Sequence, residues 1–403
     1  MRQVTASFIP DQKVPYSLTY TASFQRELHR DWSVEVRYLG TRGIHLITQN
    51  RLNIQAKVSP EDGRPGLPTY ITNAPTQAQI DALPASTLTL ADINARSNLV
   101  PKYAAAGFNG AAIVSFLSNG NSTYQGGSAL VTKRLTKGFQ MTAAYTFSHF
   151  IDDTTAEVFS TVLSPRRVED FQNLRRERAT SALDHRHRFV TSSIYELPWF
   201  NNKSGLTGTL LGGFSISGTY TVESGERITI RSGNDANGNG DSAGDRAILN
   251  QGGTEGIGST VSALVRTCPS FNPDGTCTTS TASRTVGYMA NNPNAKYIQT
   301  GSGAVSNIGR NTFLLPAINN IDFSIFKKFR IGESKYFQLR ADFFNVFNHP
   351  QYVPGSVNTV DAVGTTGLTT LNQIAPLTSD FLNPSAVLSS NPRVVVVGGR
   401  FVF

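Results

Sequence analysis

The 403-residue chain carries 36 Lys and Arg against 28 Asp and Glu, a formal charge of +8, yet only 16% of its residues are charged and 10% are aromatic. Ordinary globular domains hold about 25% charged residues, and no apolar run here approaches the ~20 residues of a transmembrane helix, so any passage through a membrane is by strands. The basic residues are scattered, the densest stretch being Arg175, Arg176, Arg178, Arg186 and Arg188; this reads as loop and lumen decoration and argues against a nucleic-acid partner. Met1 to Pro10 holds no apolar run of the signal-peptide type.

In chain order, Tyr16, Leu18, Tyr20, Ala22 and Phe24 alternate with Ser17, Thr19, Thr21, Ser23 and Gln25, the period-two pattern of a half-buried strand. A tight hairpin around His29 to Asp31 leads into Val34, Val36 and Tyr38, which alternate with Ser33, Glu35 and Arg37. The unit recurs in 124–135 with 139–147, in 189–197 with 213–222, and in 321–329 with 336–347, each pair joined by a short turn. A ninth strand starts near Arg393, with Val395, Val397, Phe401 and Phe403 on one face. Four long connections alternate with these turns, roughly 43–122, 151–186, 232–311 and 348–392.

Compact soluble domains rarely hold several loops beyond ~15 residues, whereas outer-membrane barrels combine short periplasmic turns with long extracellular loops. With Phe214 to Arg231 taken as one strand bent at Ser224-Gly225, the strand directions place Phe403 on the periplasmic side. The expected fold is all-β: nine to ten strands of a transmembrane antiparallel β-barrel with long extracellular loops. Nine is too few for a large barrel, so residues 1–403 read as its carboxyl-terminal part. Trp32, Tyr38, Phe147, Phe150, Trp199, Phe200, Phe347 and Tyr352 fit interfacial aromatic girdles.

The phrases "SFQRELHRDWSVEVRYLGTRGIHL" within Pro15–Leu46, "KRLTKGFQMTAAYTFSHFIDD" from Lys133, "LDHRHRFVTSSIYELPW" from Leu183 and "FQLRADFFNVFNHPQY" from Phe337 together resemble the Oar-like branch of the TonB-dependent receptor family. The resemblance implies a plugged barrel of about 22 strands in the outer membrane of a Gram-negative-type bacterium. Its plug would lie amino-terminal, often preceded by a carboxypeptidase-regulatory-like domain and a TonB box. None of those parts is identifiable in these residues, so TonB would act only through a plug region outside them. Gly398, Phe401 and Phe403 resemble the β-signal read by the barrel-assembly machinery, although Val396 stands where a polar residue is usual.

Three residue groups invite a site. Asp235, Asn237, Asn239, Gly240 and Asp241 give D-x-N-x-N-G-D, the first half of a Ca²⁺ loop with oxygen ligands at alternate positions. Arg246 stands at the twelfth position, where a bidentate Glu belongs, beside Asp245; an ordinary polar turn is the alternative. Asp184, His185 and His187 with His149, Asp152 and Asp153 can be drawn as a metal site, and a polar rim where strands leave the membrane is favoured. Cys268 and Cys277 bracket the turn sequence Asn272-Pro273-Asp274-Gly275, a spacing that suits a loop-stapling disulfide in an oxidising compartment, with free thiols as the alternative.

No catalytic fingerprint is present. The leading expectation is a receptor whose loops bind an unknown small or oligomeric ligand and pass it inward by gated uptake without covalent chemistry, its wall resting in outer-membrane lipid. A passive porin or surface-adhesion barrel is the second reading, and a secreted soluble glycan-binding β-protein the third.

Overall fold

The computed structural model describes residues 11–154, 168–201, 205–331, 335–352, 376, 381–387 and 391–403. Nine long strands form one antiparallel meander in sequence order: Tyr16–His29, Trp32–Arg51, Val114–Thr136, Phe139–Asp152, His187–Glu196, Phe214–Glu223, Ile318–Arg330, Tyr336–Phe344 and Val394–Val402. A short segment, Ala179–Thr180, adds to the end of the fourth. The turn between the third and fourth strands shows how tightly the register is set. Lys137 and Gly138 both take positive φ, 50° and 75°, the backbone of a two-residue hairpin whose twist matches that of its strands.

The register carries the two-residue rhythm across the whole sheet. Tyr38 faces Gly127, which faces Phe147 and then His187. Lys133 leads through Met141, Ser193 and Gly218 to Phe323, Phe343 and Val395. Directly opposed residues of antiparallel strands point the same way, so the apolar positions of all nine strands share one face. The other face takes Ser, Thr and Gln together with charged pairs such as Arg188–Glu223 at 2.9 Å and Arg340–Asp342 at 2.6 Å.

Among the described residues the apolar face is uncovered: no second sheet or helix layer of theirs packs on it, and Phe147 stays 49% and Val397 74% exposed. Along the strands, ring pairs recur. Phe139 and Tyr195 pack edge to face at 6.1 Å near the turns, and Phe189 and Tyr220 at 6.2 Å toward the connections. An exposed apolar face carrying such rings fits a lipid-facing wall. At Gly40 the Tyr20 ring lies over the backbone, 2.2 Å from where a Cβ would stand, so a larger residue there would displace the ring.

The buried core lies elsewhere. Among the described residues, four clusters of buried apolar residues are all built from the long connections, with members such as Val58, Leu67 and Ile93, Val168 and Phe171, and Ile228, Ile230 and Tyr297. The connections, whose conformations the sequence left open, fold into a cap. Thr69–Tyr70 of the first pairs in parallel with Thr285–Ala290 of the third, which pairs in turn with Val261–Val265. Two short helices, Gln77–Asp81 and Leu90–Ala95, start in reciprocal capping boxes, Thr76 with Gln79 and Thr89 with Asp92, which satisfy amide groups that a helix start leaves free.

Several expected boundaries also move. The sixth strand ends at Glu223 instead of running bent to Arg231, because Arg227–Ile228 turns away to pair with Phe313–Leu314 in the cap. The eighth ends at Phe344 instead of Phe347, where Asn345 takes φ 48°. The second and third strands run further into the first connection, to Arg51 and from Val114. Most of the fourth connection lies outside the described residues.

The face assignment predicts an asymmetric cost of charge. Ala143→Arg, on the apolar face midway along the fourth strand in the row of Val34 and Val131, should destabilise the folded barrel by about 2–4 kcal/mol in lipid vesicles, and Thr142→Arg on the opposite face by far less, measured by denaturant unfolding.

Candidate functional site

The cap is organised by charges that its own fold has withdrawn from water. Arg246, 2% exposed, places Nη2 2.5 Å from Glu177 Oε1 and Nη1 3.4 Å from Glu169 Oε2. Arg176 donates from Nε to the same Glu169 carboxylate at 3.1 Å. Arg310, equally buried, donates from Nε to the Glu177 carbonyl at 3.0 Å and pairs with Asp152 at the loop end of the fourth strand. Three guanidiniums and three carboxylates thus join the second and third connections to the wall. Glu169 and Glu177 hold the Arg246 proton even more firmly than usual, outweighing the burial that works against its charge.

The D-x-N-x-N-G-D stretch sits beside this network as a packing joint. Asn237 and Asn239 both donate from Nδ2 to the Glu169 carbonyl, at 2.7 and 2.9 Å. The Asp235 carboxylate accepts from the amides of Asn239 and Gly240, at 3.0 and 2.8 Å. Asp241 pairs with Arg51 at 3.2 Å. Neighbouring backbone closes the joint, with Val58 N–H donating to the Asn237 carbonyl and Gly303 N–H to the Ala236 carbonyl.

Asp245 accepts from the Asn237 amide at 3.2 Å while its Oδ2 is buried without a partner. Burial, with Asp235 and Glu169 nearby, pushes its pKa well above the usual carboxylate range. The structure brings Asp235, Asn237, Asn239, Asp241 and Asp245 together, but most of their oxygens serve backbone amides or Arg51. Among the described residues no group of three or more His, Cys, Asp or Glu side chains is arranged to hold a metal ion.

The second candidate cluster is a rim of separate pairs. Asp153 takes Arg178 at 3.1 Å, Asp184 takes Arg186 at 3.4 Å, and His185 Nδ1 lies 2.9 Å from both Glu223 and the Ser224 carbonyl. His149 meets Thr180, and His187 meets the Tyr145 hydroxyl at 2.8 Å. At the same junction Glu226 has its pKa raised, chiefly by burial and also by Glu223. Cys268 and Cys277 are joined, with Cα atoms 5.8 Å apart, at an exposed hairpin tip. Gly398 stands opposite Arg340 on the polar face, and Phe401 opposite Phe337 on the apolar one. Phe401 and Phe403 stack at 6.0 Å along the exposed ninth strand.

The family model of the outer membrane beta barrel domain matches residues 1–376. The chain belongs to the outer membrane beta barrel domain family. The outer membrane is accordingly where this barrel domain resides. No curated protein matches it. Among solved structures it is similar to the outer membrane transporter YddB from Escherichia coli, at 8% identity and a TM-score of 0.40, over 98% of this chain and 33% of that one. The ferripyoverdine receptor of Pseudomonas aeruginosa aligns at 10% identity and 0.37, over 96% and 27%. The ferric-catecholate import receptor Fiu of Escherichia coli K12 aligns at 8% and 0.38, over 100% and 30%. The barrel domain thus spans about a third or less of the length of these structures.

The buried network was not legible in the sequence. Arg246 and Glu177 lie 69 residues apart and Arg310 and Asp152 158 apart, and single charged residues in polar loops carry no pattern. Removing one partner of a buried set strands the others. Arg246→Ala should cost the cap about 3–5 kcal/mol, read as lost amide-exchange protection across the third connection, while the wall strands remain protected.

Proposed function

We propose that this barrel domain is part of the wall and the extracellular cap of a TonB-dependent receptor, in which the cap captures a scarce ligand and the barrel passes it inward by gated uptake. The work is binding and passage, and no residue is asked to make or break a covalent bond. The observation that carries the reading is the cap itself. Its connections pack apolar clusters and lock buried ion pairs, which gives a preformed binding surface with little left to order when a ligand arrives. The quoted Oar-like phrases of the wall strands support the same reading. The polar face, with Arg340 and Asp342, then lines the lumen or meets a plug supplied by residues outside this chain, and TonB acts through that plug. The barrel-assembly machinery reads Gly398, Phe401 and Phe403 on the last strand.

A passive porin is the reading to separate from this one, because it uses the same wall with an open lumen. Planar-bilayer recording on the protein extracted from outer membranes distinguishes them. A plugged receptor should show no steady ohmic conductance, and a stable open-channel current would assign the protein to the porins.

A further inference from the structure

A cavity of about 860 Å³ opens at the connection end of the first three strands. Its floor is formed by Leu18, Tyr20, Arg42, Thr123 and Gln125. The register places all five on the apolar, lipid-facing side of the sheet, since Leu18 faces Arg42, Arg42 faces Thr123, and Gly40, opposite Tyr20, faces Gln125. The cavity therefore lies outside the lumen, at the height where the lipid-facing side changes from Val34, Val36 and Tyr38 to polar and basic residues. Tyr38 donates to Gln125, and Gln125 donates to the Tyr20 hydroxyl at 2.7 Å, so the floor is a fixed polar chain.

The roof is the segment 174–178 of the second connection, and its residues divide by direction. Arg176 and Glu177 turn into the cap's buried network and anchor the segment. Arg175 and Arg178 line the cavity. Arg178 is held by Asp153 at 3.1 Å and reaches Thr123 Oγ1 at 3.4 Å. The guanidiniums of Arg42 and Arg175 are exposed and have no partner among the described residues. Three arginines against the single Asp153 leave two positive charges around a space at the membrane's outer edge.

We propose that this cavity binds the phosphate-bearing headgroup of an outer-leaflet lipid. Guanidinium groups take phosphate oxygens in paired, charge-assisted hydrogen bonds, and Asn119 and Asn121 on the upper cavity wall supply amides for the sugar or glycerol hydroxyls of a headgroup. The apolar face directly below receives the acyl chains. A soluble phosphorylated molecule shares the phosphate chemistry and lacks the chains. Bound lipid would lie against the roof segment whose other side belongs to the cap, so membrane composition would bear on the cap's stability.

Native mass spectrometry of the chain in detergent micelles, titrated with diphosphoryl lipid A, with its dephosphorylated form and with inorganic phosphate, tests this. The expected result is saturable binding of diphosphoryl lipid A, weakened roughly tenfold by each of Arg42→Gln and Arg175→Gln and largely kept by Arg42→Lys. The dephosphorylated lipid should bind no better to wild type than to the variants, and millimolar phosphate should not displace the lipid. Neither arginine belongs to the buried network, and unchanged heat-modifiable electrophoretic mobility verifies that each variant is folded. Equal binding of lipid A by wild type and the double variant would overturn the proposal. Displacement by micromolar phosphate would overturn the lipid assignment and give the cavity to a soluble phosphorylated ligand.

Discussion

A backbone inside hydrocarbon has no water to bond to, so each amide and carbonyl must find its partner in the neighbouring strand. That constraint fixes the strand ladder, and the ladder fixes everything else about the wall. Once Tyr38, Gly127, Phe147 and His187 are in register, the side chains of nine strands divide into one apolar and one polar face. A slip of one residue would exchange the two faces along an entire strand. The wall thus needs no buried core: its apolar side chains are meant to be exposed, and lipid is their packing partner. The first and ninth strands have one ladder partner each among the described residues, and the same constraint asks that their outer edges be paired within the membrane.

Beyond the bilayer the solvent changes, and so does the physics. The connections fold as a water-soluble protein folds, with apolar clusters inside and short sheets and capped helices around them. Their distinctive element is the set of charges enclosed with those clusters. Ion pairs such as Arg246 with Glu169 and Glu177 add little net stability over apolar packing of similar volume, but each member is costly to lose alone. Such a network favours one arrangement of three separate connections over its alternatives. Asp152 ends a wall strand and binds Arg310 of the cap, so the geometry of the cap is referred to that of the wall.

The wall was legible in the sequence because its rule is local. Alternation at 139–147 or 336–343 needs no knowledge of the rest of the chain, and those strands appear where the pattern puts them. The strand ends were less legible. Arg227–Ile228 looks like a continuation of the sixth strand until its pairing with Phe313–Leu314 is known. The cap was not legible, since its order comes from residues far apart in sequence, set in segments rich in Gly, Pro, Asn and Thr. The D-x-N-x-N-G-D stretch illustrates the difficulty. Oxygen side chains at alternate positions suit a cation and a tight backbone turn equally well, and the surroundings that engage these residues, the Glu169 carbonyl, Arg51 and the amides of the loop itself, are invisible in the local sequence.

The central claim is that alternate residues of these strands meet lipid. Spin labels placed one at a time on residues 140–147 of the reconstituted protein, with relaxation by lipid-soluble oxygen and by a water-soluble nickel chelate, test it most directly. The expected result is a two-residue oscillation, with oxygen access maximal at 141, 143, 145 and 147 and out of phase with the chelate. Uniform accessibility, or oxygen maxima at 140, 142, 144 and 146, would contradict it.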